Sequence, residues 1–147
     1  MPKLDTALSP EDKTLWRVWL FYHPGVWQPL AFNEPIHIVR EAVGGFTAAE
    51  NGEWCRLLAK RIDIIAQSAR GLMIIEVKPH GGAHALGQAL LYTTLFAETK
   101  KPTVPMEPWV ICDRIDPDAV SLYERLGVGL WQALEAEPRV SARSFVR

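Results

Sequence analysis

Two apolar segments on either side of a short turn constrain the fold of this chain more than any other feature. The segment Trp54–Gln67 and the segment Leu72–Lys78 are rich in β-branched residues, which favours strands. Between them, Ser68-Ala69-Arg70-Gly71 has the composition of a tight turn. The sequence therefore predicts an antiparallel hairpin in which Ser68 faces Gly71.

This register places charged residues opposite one another. It puts Asp63 directly across from Glu76, and Arg61 directly across from Lys78. Side chains alternate between the two faces of a strand, so these four share one face. The other face is apolar and is predicted to be core: Ile62, Ile64, Ile75 and Val77.

The two facing carboxylates suggest a metal site. Their β-carbons would lie about 5 Å apart, where like charges are destabilising. A divalent cation held by Asp63 and Glu76 would offset that repulsion, because Mg2+ prefers one or two carboxylates together with waters and phosphate oxygens. Lys78, on the same face, would then stabilise developing negative charge. The alternative is a solvated face on which Asp63–Lys78 and Glu76–Arg61 form diagonal ion pairs.

Signals elsewhere predict an α/β chain with a mixed central sheet flanked by helices, antiparallel at the front and parallel at the back. A serine N-cap and a proline start the first helix at Ser9-Pro10, and Pro24-Gly25 stops it. No repeat or linker divides the 147 residues, so a single domain over 1–147 is expected. The remaining predicted elements are short strands at Val26–Phe32 and Pro35–Val39, a loop at Gly44–Gly52, a helix from about Ala83 to Glu98, a loop at Lys101–Pro108, a strand at Trp109–Cys112, a helix from Asp116 to Gly127 and a strand at Val128–Leu134.

Composition narrows the classes of function. The chain has 16 Lys and Arg against 17 Asp and Glu, so any contact with nucleic acid needs a local basic cluster or a metal ion. Two distant cysteines, Cys55 and Cys112, indicate neither a disulfide framework nor a zinc finger. The absence of a signal peptide and of a long apolar run predicts an intracellular, cytoplasmic protein with no membrane partner.

Two motifs resemble a known superfamily. Asp63, 12 intervening residues and then Glu76-Val77-Lys78 resemble the PD-(D/E)XK phosphodiesterases, which have the restriction-endonuclease-like fold. Downstream, Gln88 and Tyr92 resemble the Gln-xxx-Tyr helix motif of the RecB-type exonuclease branch, and their i,i+4 spacing puts them on one helix face. The chain departs from the pattern in two ways. Ile62 stands where proline is usual, and no early helix carries a clear acidic residue; the candidates are Glu34, Glu41, Glu50 and Glu53, with Glu41 and Glu50 preferred.

The resemblance implies a Mg2+- or Mn2+-dependent deoxyribonuclease that leaves a 5′-phosphate and a 3′-hydroxyl. Asp63, Glu76 and the Val77 carbonyl would hold the metal, and Lys78 would orient or help deprotonate the attacking water. Gln88 and Tyr92 would position the strand or the scissile phosphate. The expected partner is DNA, single-stranded or structured, with specificity from DNA structure, a partner protein or a homodimer. The alternative is a catalytically inactive nuclease-fold protein that binds nucleic acid or acts as a phage-type assembly factor.

Three further features carry less specific predictions. His80 and His84 flank Gly81-Gly82, and contact with a phosphate is preferred over zinc binding because no third ligand is near. The helix that starts there attracts a phosphate at its N-terminus or follows a flexible connection. The six tryptophans are expected to be mostly core, with Trp16 the one expected at the surface.

Overall fold

The structure, a computed structural model, describes residues 7–23, 27–36, 45, 47–57 and 60–132. Within these residues the chain forms four α-helices, one short 3-10 helix and five strands. In chain order they are α1 (Pro10–Tyr22), β1 (Trp27–Ile36), α2 (Ala48–Leu57), β2 (Lys60–Ser68), β3 (Gly71–Gly81), α3 (Ala83–Lys100), β4 (Met106–Ile115), the 3-10 turn Pro117–Ala119, α4 (Val120–Leu126) and β5 (Gly129–Gln132).

The five strands form one sheet in the order β1-β2-β3-β4-β5. The first three strands are antiparallel, and β3, β4 and β5 are parallel. This confirms the predicted α/β architecture, with a mixed sheet that is antiparallel at the front and parallel at the back. No helix in the described part of the chain is long and apolar enough to cross a membrane.

The β2–β3 hairpin has the predicted register. Ser68 pairs with Gly71, and the pairing continues without a shift to Ile64 and Ile75. The turn is fixed by Gly71, which has a φ of 147° and lies so close to Pro105 that a β-carbon would collide with the Pro105 carbonyl. Only glycine meets both demands without strain.

Helices pack on both faces of the sheet. On the first face α1 buries Leu15, Trp16 and Trp19 against strand residues that include Ile75 and Val77. Trp16 has no exposed surface, so the expectation that it lies at the surface is wrong. Its ring stacks on that of Trp19, with 5.8 Å between the ring centroids. Both tryptophans of α1 therefore belong to the core.

The second face is covered by α3 and α4. Ala85, Leu86 and Ala89 pack against β4 and β5 in one cluster. Tyr92 joins a neighbouring cluster with Ile36, Ile62, Ile65 and Ile74. Ile62 is therefore buried as predicted, but it does not share a cluster with Ile64, Ile75 and Val77. β1 is irregular next to this stretch, since Asn33 has a φ of 50°.

The segment before the hairpin was predicted wrongly. Residues 48–57 form α2, so neither a loop at Gly44–Gly52 nor a strand from Trp54 is correct. The helix starts with a capping box: the Thr47 amide donates to Glu50 Oε2 at 2.7 Å, and the Glu50 amide donates to Thr47 Oγ1 at 3.2 Å. The Thr-x-x-Glu spacing is the sequence pattern of a helix start. The apolar residues that follow it favour a strand and hide this pattern.

Other differences concern the ends of elements. The two short strands predicted near residue 30 are one strand, β1, with a register shift between Pro29 and Ala31. β4 begins at Met106, inside the predicted loop, because its parallel pairing with β3 starts with Met106 opposite Leu72. The predicted strand at Val128–Leu134 is confirmed over Gly129–Gln132, and its last residues lie outside the described part of the chain.

Candidate active site

The candidate site lies where the two strands of the hairpin stop pairing. The regular β2–β3 ladder ends at Ile64 and Ile75. Beyond that point the backbone amide of Val77 donates to Oδ2 of Asp63 at 2.8 Å. A carboxylate side chain has thus replaced a backbone carbonyl as the acceptor for the residue next to Glu76 in the chain. The predicted pairings of Asp63 with Glu76 and of Arg61 with Lys78 lie beyond the end of the ladder and do not form as backbone pairs.

Glu76 is the most unusual residue of this site. Its side chain is 1% exposed, and neither carboxylate oxygen makes a hydrogen bond of good geometry within the described residues. Burial, followed by the charge of Asp63, raises the pKa of Glu76 to about 8, while Lys78 and the Asp63 backbone lower it by less. A buried carboxylate without a well-formed hydrogen bond costs free energy, so a structure retains one only where something else requires it.

Lys78 lies between the two acids. Its Nζ is 3.5 Å from Glu76 Oε2 and 4.0 Å from Asp63 Oδ2. Burial lowers the pKa of Lys78, but the charges of Asp63, Glu76 and Asp12 outweigh burial and raise it above the ordinary value. The ammonium group therefore keeps its proton and stays positive near neutral pH.

The diagonal ion pairs of the alternative interpretation form only in part. Asp63 approaches Lys78 as that interpretation requires. Arg61, in contrast, donates from Nη1 to the carbonyl of Asn33 at 3.0 Å, and the cation beside Glu76 is Lys78. The pair between Glu76 and Arg61 is therefore absent, and the two acids share one lysine.

The same burial acts on Asp63. It raises the pKa of the Asp63 carboxyl, the bond from Val77 and the charge of Lys78 oppose that effect, and Asp12 adds to it. Two acids whose pKa values are both raised, next to a charged lysine, form a site that favours additional positive charge.

Gln88 and Tyr92 lie on α3, which returns across the face of the sheet that carries Glu76. Gln88 Nε2 donates to the Tyr92 hydroxyl at 3.3 Å. Tyr92 is 7% exposed, and burial followed by the charge of Glu76 raises the pKa of its hydroxyl. The fold thus brings both residues of the Gln-xxx-Tyr motif close to the acid pair.

Sequence reasoning missed Asp12. It lies in the first turn of α1, and its charge raises the pKa values of both Asp63 and Lys78. The run Ser9-Pro10-Glu11-Asp12 was interpreted only as a helix start, which it also is: the Asp12 amide donates to Ser9 Oγ at 3.1 Å. An early helix therefore does carry an acidic residue near the site.

The structure does not place either of the two preferred early acids, Glu50 and Glu41, at the site. Glu50 lies on a helix, but it is exposed and its carboxylate is used in the capping box at Thr47. Glu41 lies outside the described residues.

The donor set matches a cation that needs few protein ligands. In the described ranges no group of three or more His, Cys, Asp or Glu side chains is arranged to hold a metal. Asp63 and Glu76 remain as a pair, and the oxygens of Glu76, which make no hydrogen bond of good geometry, are the hard donors that Mg2+ or Mn2+ takes. The Val77 carbonyl stays a predicted third ligand.

The predicted phosphate contact at the start of α3 faces an opposing charge. His80 and His84 are exposed, but the carboxylate of Asp116 lies close to Gly82, where a β-carbon would be 3.7 Å from Oδ2. The connection is also held in place, since the Tyr123 hydroxyl donates to the Gly82 carbonyl at 2.9 Å. A carboxylate beside the helix N-terminus already fills the electrostatic role that a phosphate would take.

Solved structures share this fold. The chain resembles a repair endonuclease from Pyrococcus abyssi, with a TM-score of 0.54 and 17% identity over 88% of this chain and 50% of that one. It also resembles EndoMS in complex with double-stranded DNA, with a TM-score of 0.51 and 14% identity over 87% of this chain and 48% of that one. A protein of unknown function matches with a TM-score of 0.51 and 16% identity, over 87% and 61%.

These likenesses define the class of fold. The chain has the restriction-endonuclease-like α/β fold and spans about half the length of the two endonucleases. No protein-family model and no curated protein sequence matches it. Identities of 14–17% carry the fold alone, so the chemistry of the site has to be argued from the residues.

Proposed function

We propose that this protein is a metal-dependent nuclease that hydrolyses phosphodiester bonds in DNA. The observation that carries the proposal is Glu76, a buried carboxylate without a well-formed hydrogen bond, next to a second carboxylate and a lysine. Such a group lowers the stability of the metal-free protein, and a bound divalent cation removes that cost. Two of the solved structures that share the fold are endonucleases, and one of them is bound to double-stranded DNA, which supports the choice of substrate.

Each residue of the site has a separate role in this proposal. Asp63 and Glu76, with the Val77 carbonyl, would hold Mg2+ or Mn2+. Such a cation, when bound, supplies charge stabilisation at a phosphoryl oxygen and activates water near neutral pH. Lys78 keeps its proton because of the two acids, so it would bind a phosphate oxygen and stabilise charge that develops there. Oδ2 of Asp63 is fixed by the Val77 amide, which sets the direction in which the other oxygen is presented.

A cleavage assay tests the proposal. Labelled single- and double-stranded DNA would be incubated with the protein in Mg2+, Mn2+ or EDTA. We expect metal-stimulated cleavage, and we expect Glu76→Gln to lower its rate about 100-fold or more, since the substitution removes the charge of one of the two carboxylate ligands. Glu124→Gln is the matched control, because Glu124 is an exposed acid on α4. Equal rates in wild type and Glu76→Gln would remove Glu76 from the mechanism.

The inactive alternative has its own signature. A nuclease-fold binding or assembly protein would take up no Mn2+ in calorimetry and would leave both kinds of DNA intact. That pair of results would contradict the nuclease proposal and favour the alternative.

A further inference from the structure

Tyr92 lies between an apolar cluster and the acid pair. Its ring packs with Ile65 and Ile74, and its hydroxyl accepts a hydrogen bond from Gln88. After burial, the charge of Glu76 contributes most to the raised pKa of this hydroxyl, and the effects of Lys78 and Asp63 are smaller. The side chain thus brings a polar group of α3 near the buried carboxylate on β3.

The hydrogen bonds of this region are incomplete in a specific way. A tyrosine hydroxyl accepts and also donates, and Gln88 uses only its accepting capacity. Its proton is left to donate. Oε1 of Glu76 and Oε1 of Gln88 are buried acceptors without a hydrogen bond in the described structure, and Oε2 of Glu76 has Lys78 Nζ at 3.5 Å. One water molecule would satisfy all three groups, because it can accept from Tyr92 and donate to Glu76 and Gln88.

Burial argues against a direct role in binding the nucleic acid. Tyr92 is 7% exposed, and its ring is surrounded by isoleucines. Little of its surface is left for a DNA strand. Glu76, in contrast, is an adjacent group that needs a donor.

We propose that Gln88 and Tyr92 are positioning residues that act through Glu76, holding its carboxylate in the orientation in which it binds a divalent cation. The hydrogen bonds run from Gln88 to Tyr92 and from Tyr92, through one bridging water, to Glu76. Neither polar group touches the nucleic acid. This inference rests on the proposed function, and it differs from the strand-positioning role that the sequence motif implies.

Two conservative variants isolate the hydrogen bonds. Tyr92→Phe removes only the hydroxyl and keeps the ring against Ile65 and Ile74. Gln88→Met keeps the length of the side chain and removes its polar atoms. The loss of an outer hydrogen-bond partner of a metal ligand weakens metal affinity about 10- to 100-fold. We expect both variants to bind Mn2+ at least about tenfold more weakly than wild type.

Tyr123→Phe is the matched control. Tyr123 is completely buried, and its hydroxyl donates to the Gly82 carbonyl at 2.9 Å, away from the two acids. Its loss removes a buried hydroxyl and a hydrogen bond, as Tyr92→Phe does. We expect it to lower stability without a change in Mn2+ affinity.

The experiment is a calorimetric titration of Mn2+ into the 147-residue chain without DNA, combined with the KM for a DNA oligonucleotide at saturating Mn2+. The inference requires a higher Mn2+ Kd in Tyr92→Phe and Gln88→Met, with KM for DNA unchanged within about twofold. An unchanged Kd with a raised KM would overturn it in favour of a DNA contact. An equal rise of Kd in Tyr123→Phe would overturn it in favour of a general structural effect. A wild-type protein that binds no Mn2+ would overturn the proposed function itself, which distinguishes the two failures.

Discussion

The two ends of the β2–β3 hairpin have opposite chemistry although they share the same two strands. At the turn end, from Ser68–Gly71 to Ile64–Ile75, backbone groups pair in a continuous ladder and the side chains are mostly apolar. At the open end the ladder stops, and the Asp63 side chain takes the Val77 amide. The first end is held by burial and backbone bonds, and the second carries three ionisable groups in a small volume.

This difference shows where the fold gains stability and where it loses some. Ile64 and Ile75 are completely buried and contribute through area removed from water. Glu76 is equally buried but has to be desolvated without a hydrogen bond of good geometry. Favourable burial at Ile75 and unfavourable burial at Glu76 thus occur at adjacent residues, which is the pattern of a site maintained for binding.

The largest expected effect is at the turn end. Ile75→Ala removes three carbon atoms from a completely buried position and is expected to lower the free energy of unfolding by about 3–4 kcal/mol. Urea denaturation measures it, with Leu91→Ala as the control because Leu91 is 46% exposed. A loss below about 1 kcal/mol would mean that the turn end is not the stable half of the hairpin.

The open end is expected to respond to pH. The pKa of Glu76 is about 8 in the folded protein against an ordinary value of 4.5, so between these values the folded state holds a proton that the unfolded chain releases. The free energy of unfolding of the metal-free protein therefore falls as pH rises from about 5 to 8, by about 3–4 kcal/mol. The raised pKa of Asp63 acts in the same direction, and that of Lys78 acts only above its ordinary value of 10.5.

A substitution separates Glu76 from the other titrating groups. Glu76→Gln should remove most of this fall, since its side chain does not titrate, whereas Glu124→Gln should keep it. Urea unfolding in EDTA at pH 5, 6.5 and 8 provides the comparison. If stability in EDTA instead rises over that range, the description of Glu76 as a destabilised buried acid is wrong.

The same contrast explains what the sequence predicts well. The turn end follows from local rules: alternating apolar residues, a compatible turn and a glycine at the position that requires one. That register also placed Asp63 beside Glu76, and the i,i+4 spacing placed Gln88 beside Tyr92. These features need only contacts between neighbouring elements.

The errors arise where distant parts of the chain decide the structure. Asp12 reaches the site because α1 packs across the sheet, and no local pattern indicates which end of that helix meets the hairpin. The strand predicted from Trp54 failed for another reason: a short apolar run does not distinguish helix from strand, and the capping box at Thr47 decides it. The surface position predicted for Trp16 is wrong because the apolar face of α1 is wider than one row of residues. This face packs against residues of β1 and β4, and Trp16 is part of it.

A smaller effect tests how the ladder ends at Asp63. Asp63→Asn keeps an oxygen acceptor for the Val77 amide and removes the repulsion with Glu76, so stability without metal should stay the same or rise. Asp63→Ala leaves the amide of a completely buried residue without an acceptor and should be about 1–2 kcal/mol less stable than Asp63→Asn. Urea denaturation in EDTA measures the difference, and amide hydrogen exchange at Val77 should be faster in the alanine variant. Equal stability and equal exchange would mean that the Asp63 side chain does not replace the missing ladder bond.

The smallest expected effect concerns the approach of α1 to the open end. Asp12 and Glu11 occupy the same first turn, so Asp12→Asn and Glu11→Gln lose a similar interaction with the helix dipole, about 0.3–1 kcal/mol. Of the two, only Asp12 acts on the site: it repels Asp63 and attracts Lys78. Losing both effects has opposing consequences for stability, so the change for Asp12→Asn should stay close to that for Glu11→Gln. Loss of the Asp12 charge should also weaken Mn2+ binding about twofold to tenfold, as expected for one charge at a distance of several ångströms in a partly solvated site. Calorimetry on both variants provides the test, and an equal Mn2+ affinity in Asp12→Asn and Glu11→Gln would exclude α1 from the electrostatics of the open end.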